Sequence, residues 1–117
     1  MATKKAIELL KEGDIQAFNK WVKERRKNGK SAVDLDDKDL SGLRLREADL
    51  REAHLNGANL RKCDLKGANL HAARLRQADL RGCDLREADL SDADLRKAKL
   101  KGASLKKANV KGARGLD

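Results

Sequence analysis

Proline and tyrosine are absent from this 117-residue chain, and a single Phe and a single Trp are its only aromatic residues. Leu, Ile, Val and Phe together make up about a fifth of it, while 40% of the residues are charged. That composition lies near the border of chains that never fold. A conventional mixed core is excluded, so the chain is either disordered or places its few large side chains by a regular rule. No apolar stretch approaches the ~18 residues of a membrane span, so none is expected. The first residues, Met1-Ala2-Thr3-Lys4-Lys5, lack the apolar run of a secretory signal. With only two cysteines and no such signal, a reducing, cytoplasmic setting is expected.

What is present is periodic. Leu recurs at every fifth position from Leu35 to Leu105, with Val110 closing the series. Two residues before each stands a small residue, as at Ala48, Ala53, Ala58, Cys63, Ala68 and Cys83. The residue just before the leucine is often Asp or Asn, as at Asp49, Asn59, Asp64, Asn69 and Asp79. Sixteen such pentads fit between residues 33 and 112 without an insertion. On an α-helix, five residues turn through about 500°, which scatters the leucines around the cylinder. On a straight strand, residues five apart face opposite sides. A chain that turns a corner after every pentad puts each Ala and Leu inside, so a solenoid is expected. The corner position, two after the leucine, is Gly at 42, 57, 67, 82, 102 and 112, as a bend needing permissive backbone prefers.

Stretches such as ADLREAHLNGANLRKCDLKGANL (48–70) and ADLRGCDLREADLSDADL (78–95) resemble the pentapeptide-repeat family, whose consensus is Ala-Asp/Asn-Leu and two variable residues. The resemblance covers about two-thirds of the chain. It implies an all-β solenoid, a right-handed quadrilateral β-helix with 20 residues per coil and about four coils, of bacterial type. Here no central position is Phe, and the first coil is irregular, with Lys38 and Leu43 in the small slot. Some family members protect DNA gyrase and topoisomerase IV from inhibitors by mimicking duplex DNA.

Residues 1–30 follow a different rule and are expected to form an N-terminal helical cap on a β-helix of residues 31–117. Ile7 and Leu10, then Ile15, Phe18 and Val22, fall at helical spacings. Gly13-Asp14 reads as a helix stop followed by an N-cap, and Gly29 as a second stop, which predicts two short helices. Phe18 and Trp21 are expected to cover the edge of the first coil. A helical recognition module is the alternative reading of this segment.

Catalytic candidates are few. His54 and His71 fall on different faces of a 20-residue coil and are read as surface filling, with no metal and no cofactor expected. Cys63 and Cys83, 20 residues apart, share the inward slot and are expected to be free core thiols. The carboxylates form ladders rather than a pocket, so no enzyme is expected.

Charge is more informative. The chain carries a net +9, made up of +5 in residues 1–30, −3 in 31–95 and +7 in 96–117. Counting by 20 predicts two basic ladders, one of Arg61, Arg81 and Lys101 and one of Arg46, Lys66, Arg86 and Lys106. They are candidate partner-binding strips, or else solvated charge interleaved with the Asp column. A rigid, non-enzymatic module that presents ordered charge to a protein partner is the leading functional expectation. Weak, sequence-blind nucleic-acid binding is the alternative, since the repeats hold no aromatic residue on which bases could stack. Modulation of a type II topoisomerase is the third, disfavoured because mimicry needs an acidic rod. Lysines crowding the C-terminal end favour a monomer over a homodimer joined there.

Overall fold

The computed structural model describes residues 2–116. Helices α1 (Ala2–Glu12) and α2 (Ile15–Lys27) are separated by Gly13, whose φ of 79° ends the first, and by Asp14, which caps the second. The Asp14 carboxylate accepts the Ala17 N–H at 3.0 Å, satisfying one free donor of the helix start. The apolar faces bury Ala6, Leu9 and Leu10 from α1 and Phe18 and Val22 from α2.

From Asp34 onward the chain forms a quadrilateral β-helix. Each residue before a central leucine pairs in parallel with the residue 20 further on, from Asp34 with His54 to Asp94 with Arg114. Four pentads therefore close one coil, and the strands are single bridging residues between corners. The hydrogen bonds alternate along the stack: Leu55 N–H donates to the Arg74 carbonyl at 2.7 Å, and Arg74 N–H donates to the Ala53 carbonyl at 2.9 Å. Every central leucine from Leu35 to Leu95 is buried, together with the small residues from Ala48 to Ala93. The chain's leucines suffice for a core because each coil needs only four, stacked directly on those of its neighbour.

Each corner is a four-residue turn closed by a bond such as Ala78 N–H to the Leu75 carbonyl. Its third residue has positive φ, as in type II turns. Gly occupies six of these corners, but ten hold other residues at φ of 56–62°, including Lys62, Ala72 and Gln77. The expected preference for Gly is thus not a requirement. At eight of the ten non-glycine corners the corner N–H donates to the next coil, as where Gln77 N–H donates to the Arg96 carbonyl, while Lys97 and Lys107 on the last coil hold the same conformation without such a bond.

The two ends are finished differently. Over the first coil, the Asn19 amide of α2 donates to the Glu47 carbonyl at 3.0 Å and accepts the Asp49 N–H at 2.7 Å. One side chain thus stands in for the backbone of a missing coil. Thr3 Oγ1 donates to the Asp34 carbonyl, and Arg26 holds the Arg51 carbonyl and the Glu52 carboxylate. Phe18 is fully buried against this coil, while Trp21 is half-buried at the margin beneath the Arg25 guanidinium, 5.1 Å from its ring centroid. Asn19→Ala is expected to lower stability by about 1–2 kcal/mol by leaving both coil-edge groups without that partner, read as a lower urea midpoint. At the other end Leu100 and Leu105 are half-buried and Val110 is exposed. Gly115 stands where the leucine rule would place a large residue. A Cβ there would lie 2.6 Å from the backbone of Leu95 and Arg96, so only Gly lets the chain cross so close. Leu116, one position out of register, packs on the core beyond it.

Lys38 and Leu43, the irregular small-slot residues, leave the register intact, since Asn59 and Asp64 N–H groups still donate to their carbonyls. Lys38 is exposed and Leu43 half-buried. The first coil has a neighbouring coil on one side only, so its slots admit larger side chains.

Candidate functional site

With the leucines and small residues turned inward, the residues flanking each leucine form the outer surface. In an extended segment, residues two apart share a side, so the residue before a leucine and the one after it lie together. In the sequence Asp-Leu-Arg this makes an ion pair within one pentad. Asp79 Oδ1 accepts from the Arg81 backbone N–H and Nε, and Oδ2 accepts from the guanidinium at 2.6 Å. The same bidentate clamp recurs at Asp49 with Arg51, Asp84 with Arg86 and Asp94 with Arg96. Hydrogen bonding to the neighbouring guanidinium holds the carboxyls of Asp79, Asp84 and Asp94 down to about 2, against a smaller opposing effect of desolvation.

This pairing changes the meaning of the two basic ladders. Arg81 and Arg86 are clamped by their own pentads. Arg46 donates to Asp64 on the next coil, and Arg61 donates to Asn59 and lies 3.8 Å from Asp79. The ladder arginines are therefore locally neutralised, as in the interleaved alternative. Lys66, Lys101 and Lys106 make no ion pair among the described residues. Nor do Lys97, Lys99, Lys107 and Lys111, all exposed on the last coil. Arg74, Arg76 and Arg114 line a shallow groove with Asn56, Asp92 and Asp94. Sequence reading missed Arg74 and Arg76 as surface cations. Counting by 20 from Asp34 reaches Arg74 and Arg114, and counting by 20 from Asp36 reaches Arg76.

Cys63 and Cys83 are free, buried thiols stacked in one slot column. They donate to the Leu40 and Leu60 carbonyls at 2.9 and 2.7 Å, and burial pushes them up to about 11 and about 12. At neutral pH they are protonated and poor nucleophiles. His71 Nδ1 lies 2.8 Å from Ser91 Oγ on the adjacent coil. His54 sits elsewhere, above Asp34, with Asp34 and Asp36 close by. The two histidines do not converge, as the spacing implied, but His54 has acidic neighbours that the spacing of the histidines does not reveal.

The profile of the family described as pentapeptide repeats (8 copies) matches residues 44–82 and 73–112. The chain belongs to the pentapeptide-repeat family. Its structure is similar to that of Rfr23, a pentapeptide repeat protein from the cyanobacterium Cyanothece 51142. The two are 35% identical with a TM-score of 0.68, over 69% of this chain and 56% of that one. It is also similar to a pentapeptide repeat protein of the Arabidopsis thaliana thylakoid lumen, 37% identical with a TM-score of 0.58, over 68% and 59% of the two chains. The match thus spans under two-thirds of either relative's length. No curated protein matches this chain. Like these pentapeptide-repeat structures, the solenoid is a right-handed quadrilateral β-helix. Among the described residues no helix is long and apolar enough to cross a membrane.

Proposed function

We propose that this pentapeptide-repeat protein is a rigid, non-enzymatic interaction module of the cytoplasm that docks an acidic protein surface through its C-terminal coil. The observation that carries this reading is the contrast between paired and unpaired cations. Along the middle of the rod each ladder arginine has an acceptor on its own or the next coil. On the last coil Lys97, Lys99, Lys101, Lys106, Lys107 and Lys111 have no carboxylate within ion-pair distance among the described residues. Cations without internal partners keep their full attraction for an external anion. Backbone bonds between coils fix the main chain that carries them, so on binding only the lysine side chains have to be ordered. A passive role is further supported by the core, which is filled mainly with Leu and Ala, and by the commitment of the Asp49, Asp79, Asp84 and Asp94 carboxylates to clamps. The same crowding of like charge opposes stacking two copies end to end, which favours a monomer.

A second reading, sequence-blind binding of duplex phosphates by the same lysines, is favoured by the shortage of acid beside them. Topoisomerase modulation by duplex mimicry draws no support from the last coil, where the unpaired charge is basic.

The test is fluorescence anisotropy with two probes, a labelled poly-glutamate peptide and a labelled DNA duplex, each at several salt concentrations. Combining Lys101→Glu, Lys106→Glu and Lys111→Glu is expected to weaken peptide binding at least about tenfold with unchanged circular dichroism, whereas Arg81→Gln with Arg86→Gln changes it by less than about twofold. If the duplex is the tighter ligand, the same lysine changes should lower its salt slope by roughly one for each phosphate no longer neutralised. Tighter duplex binding would establish the second reading. Binding to neither probe at low salt would overturn both.

A further inference from the structure

We propose that Asp34, Asp36 and His54 form a surface site for a divalent first-row transition cation, of which Zn²⁺ is the representative. One ligand atom from each side chain lies within 4.8 Å of those of the other two. A cation at their centre is then no farther than about 2.8 Å from any of them, and a small side-chain rotation closes this to the ~2.0–2.2 Å of Zn–N and Zn–O bonds.

The arrangement follows from the register. His54 is the parallel partner of Asp34, directly above it on the next coil, and Asp36 lies two residues on from Asp34 on the same side. This pentad departs from the rule seen elsewhere on the rod. Asp49, Asp79, Asp84 and Asp94 each have an Arg two residues on, and Asp39 and Asp89 each have a Ser that donates to them. In Asp34-Leu35-Asp36 the position of the neutralising donor holds a second carboxylate. Among the described residues no Lys or Arg pairs with either one.

Both carboxylates are already oriented. Asp34 Oδ1 accepts the Asp36 N–H at 3.1 Å, and Asp36 Oδ1 accepts the Asn56 N–H at 2.8 Å, which leaves each a second oxygen for a ligand. The donor set decides the class of ion. Two carboxylates and an imidazole suit Zn²⁺ and its neighbours, whereas Ca²⁺ and Mg²⁺ take oxygen ligands and, for Mg²⁺, retain their waters. Three protein donors at a half-exposed surface leave coordination positions to water, so binding is reversible and exchangeable. The ion would tie the first coil to the second beside the point where Thr3 of α1 holds the Asp34 carbonyl.

The experiment is calorimetric titration of the full chain with Zn²⁺ at pH 7.5, together with thermal melts with and without the metal. One Zn²⁺ should bind per chain, and saturating metal should raise Tm. His54→Asn and Asp36→Asn should each weaken binding at least about tenfold and remove the Tm rise, while His71→Ala leaves both unchanged. Melts without metal show that the variants remain folded. Zn²⁺ binding that persists in His54→Asn, no binding at millimolar Zn²⁺, or equal binding of Ca²⁺ would each overturn the proposal.

Discussion

Leu85→Asp is expected to abolish the folded state of the repeat region. Leu85 has no exposed surface and stacks in a column between Leu65 and Leu105, with its N–H bonded to the Ser104 carbonyl of the next coil. The side chain points into a core that holds no buried polar or charged residue among those described. An aspartate there must be buried as an unpaired charge or protonated at a large cost. Loss of the leucine itself costs about 2–5 kcal/mol. Together these reach the ~5–15 kcal/mol that a domain of this size has available. Coils touch only their neighbours, so a failure at mid-rod leaves two coils on one side and one on the other, too few to hold a continuous core. Far-UV circular dichroism should lose its sheet signal and keep only that of the two helices at most. A wild-type spectrum and urea midpoint would show that Leu85 does not face inward.

The second large effect is expected from adding volume rather than charge. Ala73 is fully buried, and the carbonyl of Ala53 below and its own carbonyl above are both engaged in bonds between coils, to Arg74 and Asp94. With coils ~4.8 Å apart, the slot has no room for three more carbons. Ala73→Leu must push neighbouring coils apart or force strained rotamers, at a cost of about 3 kcal/mol. The protein supplies its own contrast. Leu43 occupies a small slot of the first coil, in the column of Cys63, where one side is free of a neighbouring coil, and is half-buried without disturbing the register. Ala108 lies in a small slot of the last coil and is likewise half-buried. Ala108→Leu should therefore change stability by less than about 1 kcal/mol. Equal urea midpoints for the two variants would contradict the stacked-slot geometry.

The fold is legible because the solenoid's period is written in its leucines. One large residue per pentad and one small one two positions earlier can both face inward only if the chain corners every five residues. The helical cap is equally open to reading, from Gly13-Asp14 and the spacing of Phe18 and Val22. The corners are less so. Glycine at six of them suggests that the backbone there demands it, whereas Lys62, Ala72 and eight other non-glycine residues adopt the same positive φ.

The functional surface is harder to read, and for a definite reason. Counting by 20 finds columns between coils, so it groups Arg61 with Arg81 and Arg46 with Arg86. The dominant pairing is instead within a pentad, Asp79 with Arg81 and Asp84 with Arg86. Its signature, Asp-Leu-Arg, is visible in the sequence, but whether a long Arg side chain folds back or extends depends on its rotamer. Comparing His54 with His71 alone misses its column partner Asp34, which the same count of 20 supplies. Asn19 gives no signal, because its role depends on where α2 rests on the first coil.

The most direct test of docking through the last coil is an NMR titration of ¹⁵N-labelled protein with the unlabelled poly-glutamate peptide. Amide shifts should move in residues 96–114, around Lys99, Lys101, Lys106 and Lys111, and leave Arg46, Arg81 and Arg86 in place. Shifts centred on the mid-rod arginines, or none at low salt, would contradict it.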